Sequence, residues 1–362
     1  MKFIQSSPPA RAVFLGYIAS FLFMLFAVQA TASPSIDSNP VNCTYSPYLS
    51  CVDSQSGEAM WHKLRYSDPD NFSIGNDRLY ISHSTTSSSY DLRSGTQIWQ
   101  VSNDSNALYL YPVLVGNNVY LARSDGILEK RRADSGKIIW SRSLADGWVY
   151  PPLIQHNHII TGGQNRIIWV LDARTGMIRD SVTLDQELVA PLFHVNERFI
   201  SSTFDGQLRA FRINQQSGRI KPVWRAQLDA PAFSYVSDSE HFVAADMGGK
   251  LHSLDPETGQ LRWQKTVHQN ALFWNTLYRH SLISLTESGS LTILDIDSGK
   301  LKKQLQFDRQ YIQAPIVQGD TVALYDITGA VQHLTSDVLS GSRGQSPLLY
   351  SLLTSTQRGT IK

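Results

Sequence analysis

Histidines, cysteines and carboxylates are the side chains that could carry chemistry here, and their spacing gives them little to do. His156 and His158 alternate along a strand-like run, but no third ligand accompanies them, so the pair reads as solvent-facing. Asp125, Asp205 and Asp246 stand in glycine-containing turns, where a carboxylate caps backbone N–H groups, and they assemble no oxygen cage for calcium. The chain has 2 cysteines, too few for a disulfide-dense scaffold or a cysteine zinc cluster. Cys43 and Cys51 make a natural pair in an oxidising compartment, and a bridge over so short a loop stabilises by about 2–3 kcal/mol in the chain-entropy model. No Gly-x-Ser-x-Gly, His-Glu-x-x-His or phosphate-loop sequence is present. No catalytic, cofactor-binding or metal-binding residue is therefore assigned, and no cofactor is expected.

The elements around these residues are those of an ordinary globular chain of 362 residues, 42% hydrophobic and 17% charged. Lys and Arg total 32 against 31 Asp and Glu, a net charge of +1, so no nucleic-acid partner is expected. The amino terminus is built as an export signal: Lys2 and Arg11, an uncharged run over 13–28, then Ala30-Thr31-Ala32. A membrane span needs about 20 apolar residues, more than this run supplies. Residues 1–32 are thus expected to be a signal peptide, with an uncleaved anchor as the alternative. Either way the rest of the chain is expected to be periplasmic, without a further membrane span.

One unit recurs along the chain: Asp-x-x-Ser/Thr-Gly-x-x-x-Trp. Its glycines are Gly57, Gly95, Gly136, Gly176, Gly218, Gly259 and Gly299, spaced by 38, 41, 40, 42, 41 and 40 residues. Trp61, Trp99, Trp140 and Trp263 complete four copies, and Trp224 arrives two residues late in a fifth. Arg132 takes the Asp position of the Gly136 copy, and Asp180 and Lys303 take the Trp position of the Gly176 and Gly299 copies. Each period holds four short apolar or alternating runs split by Gly, Asn and Asp, the pattern of antiparallel strands. Four strands per period of about 40 residues predict an all-β fold, a β-propeller of four-stranded blades, with a β-solenoid as the disfavoured alternative. The motif has a mechanical reading. Gly supplies a positive φ, Asp accepts backbone N–H bonds across the turn, and the indole wedges between neighbouring blades with its N–H bonded there.

Seven blades are expected, the last completed by an outer strand from residues 57–65, which would close the ring; eight is the alternative. The domain plan is then a signal over 1–32, a disulfide-bearing segment over 33–56, a propeller over 57–335 and a flexible tail over 336–362. A monomer is expected.

Asp255-Pro256-Glu257-Thr258-Gly259-Gln260-Leu261-Arg262-Trp263, after Gly249-Lys250-Leu251-His252-Ser253-Leu254, resembles the tryptophan-docking repeat of the PQQ-like, quinoprotein-type β-propellers. The resemblance covers residues 48–334. That superfamily includes PQQ-dependent dehydrogenases and non-enzymatic scaffolds such as the BamB-type component of the outer-membrane barrel-assembly machinery, so it implies the fold more firmly than the function. The dehydrogenases of the superfamily carry a vicinal cysteine pair and axial calcium ligands; here the cysteines precede the first complete blade. The expectation is an exported, non-enzymatic scaffold that binds a protein partner in the bacterial cell envelope and serves outer-membrane protein assembly. A PQQ-dependent or related periplasmic oxidoreductase is the alternative.

Aromatics lead into the inner strands: Tyr109, Tyr111, Trp148, Tyr150, Phe233, Tyr235, Trp274 and Tyr311. In a propeller these segments converge on one face, and a ring of exposed Tyr and Trp there would suit a partner protein. Packing within and between blades is the competing role. Glu129-Lys130-Arg131-Arg132 puts charge in a strand that small apolar residues normally occupy. It reads as a charged exposed edge or as a basic patch for an acidic partner loop.

Overall fold

The computed structural model describes residues 41–45, 49–53, 59–63, 72–268, 273–311, 314–327, 330–340 and 350–351. The expected signal segment, Gly57 and most of the stretch beyond 340 lie outside them. No helix among the described residues is long and apolar enough to cross a membrane.

The third blade shows why the repeat folds as it does. Its strands are Leu153–Gln155, His158–Gly162, Ile167–Asp172 and Ile178–Thr183, hydrogen-bonded in that order. The two middle strands are almost wholly buried, because neighbouring blades cover both of their faces, and so they read as continuous apolar runs. The last strand, at the rim, alternates between exposed and partly buried residues. Six such antiparallel sheets follow one another over 72–102, 113–143, 153–183, 193–227, 232–266 and 273–306, here blades 1 to 6. Blade 7 comprises Ile316–Gln318, Thr321–Tyr325, Val331–Leu334 and the short Tyr350–Ser351. The chain is an all-β propeller.

A further sheet of three strands, Val41–Tyr45, Leu49–Asp53 and Ala59–Lys63, precedes blade 1, so the described residues form eight sheets, seven of them four-stranded. Here the closure expected from the sequence is corrected. Ala59–Lys63 pairs with Leu49–Asp53, and the outer strand of blade 7 is Tyr350–Ser351. Pairing with the strand just upstream closes a far shorter loop than pairing with the far end of the chain. Cys43 and Cys51 stand opposite each other in this sheet and form a disulfide. Within the stretch read as a tail, Ser336–Ser340 is a short helix with Val338 and Leu339 buried beside blade 7.

Apolar side chains gather at the seams between sheets rather than in one centre. Ile160, Ile168 and Val170 of blade 3 meet Leu188, Phe199 and Phe211 of blade 4. Phe193, Ile200 and Leu208 of blade 4 meet Tyr235, Phe242 and Leu254 of blade 5. Equivalent clusters occupy the remaining seams from the N-terminal sheet to blade 7.

The indoles bridge these seams. Trp61 donates Nε1–H to Leu92 O at 2.8 Å, Trp99 to Ala133 O at 2.9 Å and Trp263 to Ile296 O at 2.8 Å, each carbonyl lying in the next blade's turn. Trp140 and Trp224 make the same bond at 3.4 and 3.1 Å. Each ring lies flat on the glycine of that turn: a Cβ on Gly95 would stand 2.7 Å from the Trp61 ring, and Gly95 also has φ +66°. Gly136, Gly176, Gly259 and Gly299 meet Trp99, Trp140, Trp224 and Trp263 in the same way. The turns are locked by their acid. Asp255 Oδ1 accepts from Thr258 N at 2.8 Å and from Thr258 Oγ1 at 3.0 Å. Hydrogen bonds from Arg262 and from the turn, against a smaller opposing effect of burial, hold the Asp255 carboxyl down at about 2. In blade 4 Asn214 takes this role, accepting from Ser217 N at 2.9 Å.

The charged strand is also corrected. Ile127–Arg132 is the third strand of blade 2 and is paired on both sides, so it is no edge. Glu129 is buried and accepts from Arg123 at 3.0 Å and Arg131 at 2.7 Å. Lys130 is buried too, donates to Ala173 O at 2.8 Å across the seam, and has its pKa lowered by burial. A buried charge has to be paired, and Arg123 and Arg131 do this for Glu129 within blade 2, while the exposed Arg132 pairs with Asp134 in the following turn.

Candidate functional site

Two sets of loops share one face of the propeller, and backbone hydrogen bonds prove it. In blades 2, 3, 4 and 6 the exit of the outer strand bonds back to the hairpin turn between the second and third strands of its own blade: Leu144 N to Gly126 O, Leu184 N to Arg166 O, Leu228 N to Gly206 O, and Phe307 N to Gly289 O, all at 2.7–2.9 Å. The returning segment then meets the equivalent turn of the next blade. Ser124 N bonds Leu108 O, Gln164 N bonds Trp148 O, Phe204 N bonds Glu187 O, Met247 N bonds Pro231 O, and Ile327 N bonds Gln310 O, at 2.8–3.1 Å. Connections and turns therefore form one surface.

Most of the aromatics nominated on this path are not on that surface. Tyr109, Tyr150, Tyr235 and Tyr311 are at most 3% exposed, and Phe233 is 9% exposed in the seam between blades 5 and 6. The phenols are committed inside. Tyr150 OH donates to Leu188 O at 3.2 Å, Tyr235 OH to Ala232 O at 3.1 Å and Tyr311 OH to Gln332 Oε1 at 3.2 Å, while Tyr109 OH reaches Glu129 at 3.5 Å. Burial pushes the Tyr150 and Tyr235 hydroxyls up from the usual phenol value. The expectation of exposed rings at Tyr150 and Tyr235 is thus corrected: where the chain enters the inner strand it dives into a seam, and a large ring there fills it. Tyr111, Trp148 and Trp274 remain partly exposed.

Other residues reach this surface. At the turn position shared by Ser124, Gln164, Phe204, Met247 and Ile327, blades 4 and 5 carry the adjacent apolar side chains of Phe204 and Met247, both partly exposed. Asp185, Glu187, Asp205 and Asp229, on the connections and turns of the same blades, are exposed. Arg209 and Lys250 pair with Asp185 and Asp229, respectively. The signal was there to find: in a turn of Thr/Asp-x-x-Gly pattern, x is Phe in Thr203-Phe204-Asp205-Gly206 and Met in Asp246-Met247-Gly248-Gly249, where Thr286-Glu287-Ser288-Gly289 has a charge. Both side chains pack on the buried cluster between blades 4 and 5, and the part of each left exposed lies on adjacent turns of this face.

The candidate metal pair is separated. His156 lies in an exposed turn at φ +52°, whereas His158 is buried, and burial chiefly lowers its pKa. Asp246 is spent on a buried pair with His252 at 2.7 Å and on the N–H groups of Gly248 and Lys250. Among the described residues no group of three or more His, Cys, Asp or Glu is placed to hold a metal ion.

Comparison with known proteins decides the family. The family described as outer membrane protein assembly factor BamB matches residues 88–272. The Escherichia coli K12 protein of that name is 30% identical over 277 residues, covering 68% of each chain. The chain belongs to the BamB family. The Yersinia pestis BamB is 26% identical over 296 residues, covering 72% of this chain and 73% of its own. The crystal structure of BamB from Moraxella catarrhalis superposes with a TM-score of 0.66 at 15% identity, covering 82% of this chain and 94% of that one, which speaks to the fold. The span matched by the BamB family model runs from the third strand of blade 1 past the end of blade 5, and Phe204 and Met247 lie inside it.

Proposed function

We propose that this chain is a non-catalytic scaffold of the bacterial cell envelope that serves outer-membrane protein assembly by binding a partner protein on the face of blades 4 and 5. One observation carries the reading: Phe204 and Met247 stand partly exposed on neighbouring turns of the loop-bearing face, which also carries the exposed Asp185, Glu187, Asp205 and Asp229. Trp148, on the same path around the face, is partly exposed at the seam between blades 2 and 3. The family name supports a scaffold over the oxidoreductase alternative. The Cys43–Cys51 disulfide supports an exported, periplasmic chain, with residues 1–32 as its signal, because the cytoplasm keeps such pairs reduced.

The test is a pull-down from envelope extract with the full chain and with a Phe204→Ser, Met247→Ser double variant. The variant is expected to keep the wild-type far-ultraviolet circular dichroism spectrum and to lose at least tenfold in partner recovery. Equal recovery by both proteins defeats the proposed face. Micromolar binding of PQQ with calcium, measured by titration calorimetry, would revive the oxidoreductase.

A further inference from the structure

His241 differs from the other residues that tie one blade to the next. It immediately precedes the second strand of blade 5, Phe242–Asp246. At the corresponding place Arg78 of blade 1 donates to Ala133 O in the turn of blade 2 at 2.9 Å, and Arg198 of blade 4 pairs with Glu257 in the turn of blade 5. An arginine keeps its charge at every pH the protein meets. His241 reaches the turn of blade 6, where Nε2 lies 2.9 Å from Asp297 Oδ1. Its other nitrogen, Nδ1, lies 2.9 and 3.0 Å from the two oxygens of Asp238. A carboxylate only accepts hydrogen bonds, and a neutral imidazole has a single N–H to give. Both contacts are made together only when the ring is protonated.

We propose that the seam between blades 5 and 6 is a pH-sensitive latch, in which the imidazolium of His241 ties Asp238 of one blade to Asp297 of the next and loss of its proton releases one of the two. The surroundings favour the closed form. The ring is 7% exposed. Asp238 also accepts from Glu240 N at 2.8 Å and His241 N at 2.7 Å, which fixes its carboxylate towards the ring. The remaining charges near the ring are engaged elsewhere. Arg262, on the outer strand of blade 5, bonds Glu240 O and Asp255, and Asp295, in the turn of blade 6, pairs with Lys302. Glu240 points an exposed side chain from the same turn as Asp238.

Burial alone would lower the histidine pKa, but the hydrogen bonds and charges of Asp297 and Asp238 outweigh it and hold it above the ordinary value. A group of this sign stabilises the fold fully below the unfolded value of about 6.5, and the contribution is withdrawn as pH rises through the folded value. The seam is therefore tight below the ordinary histidine value and slackens as pH rises through the higher folded one.

The experiment titrates the full chain, labelled with ¹⁵N-histidine, by NMR, and follows thermal unfolding from pH 6 to pH 9 for the wild type, His241→Arg and His241→Gln. The His241 resonances are expected to titrate above about 6.5. The wild type should lose on the order of 2 °C of melting temperature on the alkaline side relative to His241→Arg, which supplies the permanent cation used at Arg78 and Arg198. His241→Gln should already be lowered at pH 6. A His241 midpoint at or below about 6.5 overturns the latch, as does an identical pH response in wild type and His241→Arg. The NMR midpoint of the wild type decides the matter if a variant fails to fold.

Discussion

The seam between blades 1 and 2 and the seam between blades 3 and 4 solve one problem with different chemistry. In the first, Trp99 is 8% exposed, covers Gly136 and bonds Ala133 O, so a single indole fills the gap and binds the neighbouring turn. In the second, Asp180 stands where the indole would be. Its Oδ2 accepts from Ile220 N of blade 4 at 2.8 Å, while the space over Gly218 is taken by His158 Nε2 and Arg179 Cβ, 2.9 and 3.0 Å from where a Cβ would lie. The apolar weight lies deeper there, with Phe199 and Phe211 stacked at 5.2 Å. What the repeat requires at this position is therefore a filler and a cross-blade hydrogen bond, and Trp supplies both in one side chain.

That contrast can be broken most directly at Trp99. Trp99→Ala should cost about 3–4 kcal/mol by urea unfolding, since the ring and its bond vanish together and leave a cavity at a seam. Gly136→Ala comes next, at about 2 kcal/mol, because φ is +66° and the rigid Trp99 ring lies 2.9 Å from the added methyl. Gly218→Ala should cost less despite a φ of +73°, because the imidazole facing it can turn aside. If the two glycine variants lose stability equally, the ring contact is not what separates the seams. Asp180→Ala should cost about 1 kcal/mol, the worth of one hydrogen bond to a charged acceptor near the surface. The smallest effect is in pH. His158 is held below its ordinary value by burial and by Arg179, with Asp172 opposing, so the neutral ring is the folded form. Its contribution is present above the unfolded value of about 6.5 and is lost as pH falls through the folded one. Acidification should therefore weaken the 3/4 seam, and His158→Phe should flatten the stability profile below pH 6.5.

Much of the architecture was written locally and could be read. The Asp-x-x-Ser/Thr-Gly turn is closed by bonds within four residues, as at Asp91 and Ser94, and the indole spacing follows it. Asn214 is hidden from the motif because an amide oxygen caps a turn as well as a carboxylate oxygen, but breaks the pattern. The features that escaped depend on what lies across a seam. Nothing near Tyr150 in the chain announces that its hydroxyl meets Leu188 O, and nothing near Glu129 shows that Arg123 and Arg131 neutralise it. Strand order at the N-terminus escaped for the same reason: both candidate partners of Ala59–Lys63 have suitable patterns, and proximity along the chain decided between them. The apolar pair at Phe204 and Met247 was visible only once the turns were aligned blade by blade.

The division of the apolar side chains into separate clusters, each owned by two adjacent sheets, has an evolutionary corollary. Adding or removing a whole blade would change the angle at every seam around the axis, whereas a substitution inside one seam is felt chiefly by the two sheets that share it. A change that alters recognition on one pair of turns therefore need not be matched by redesign at a distant blade.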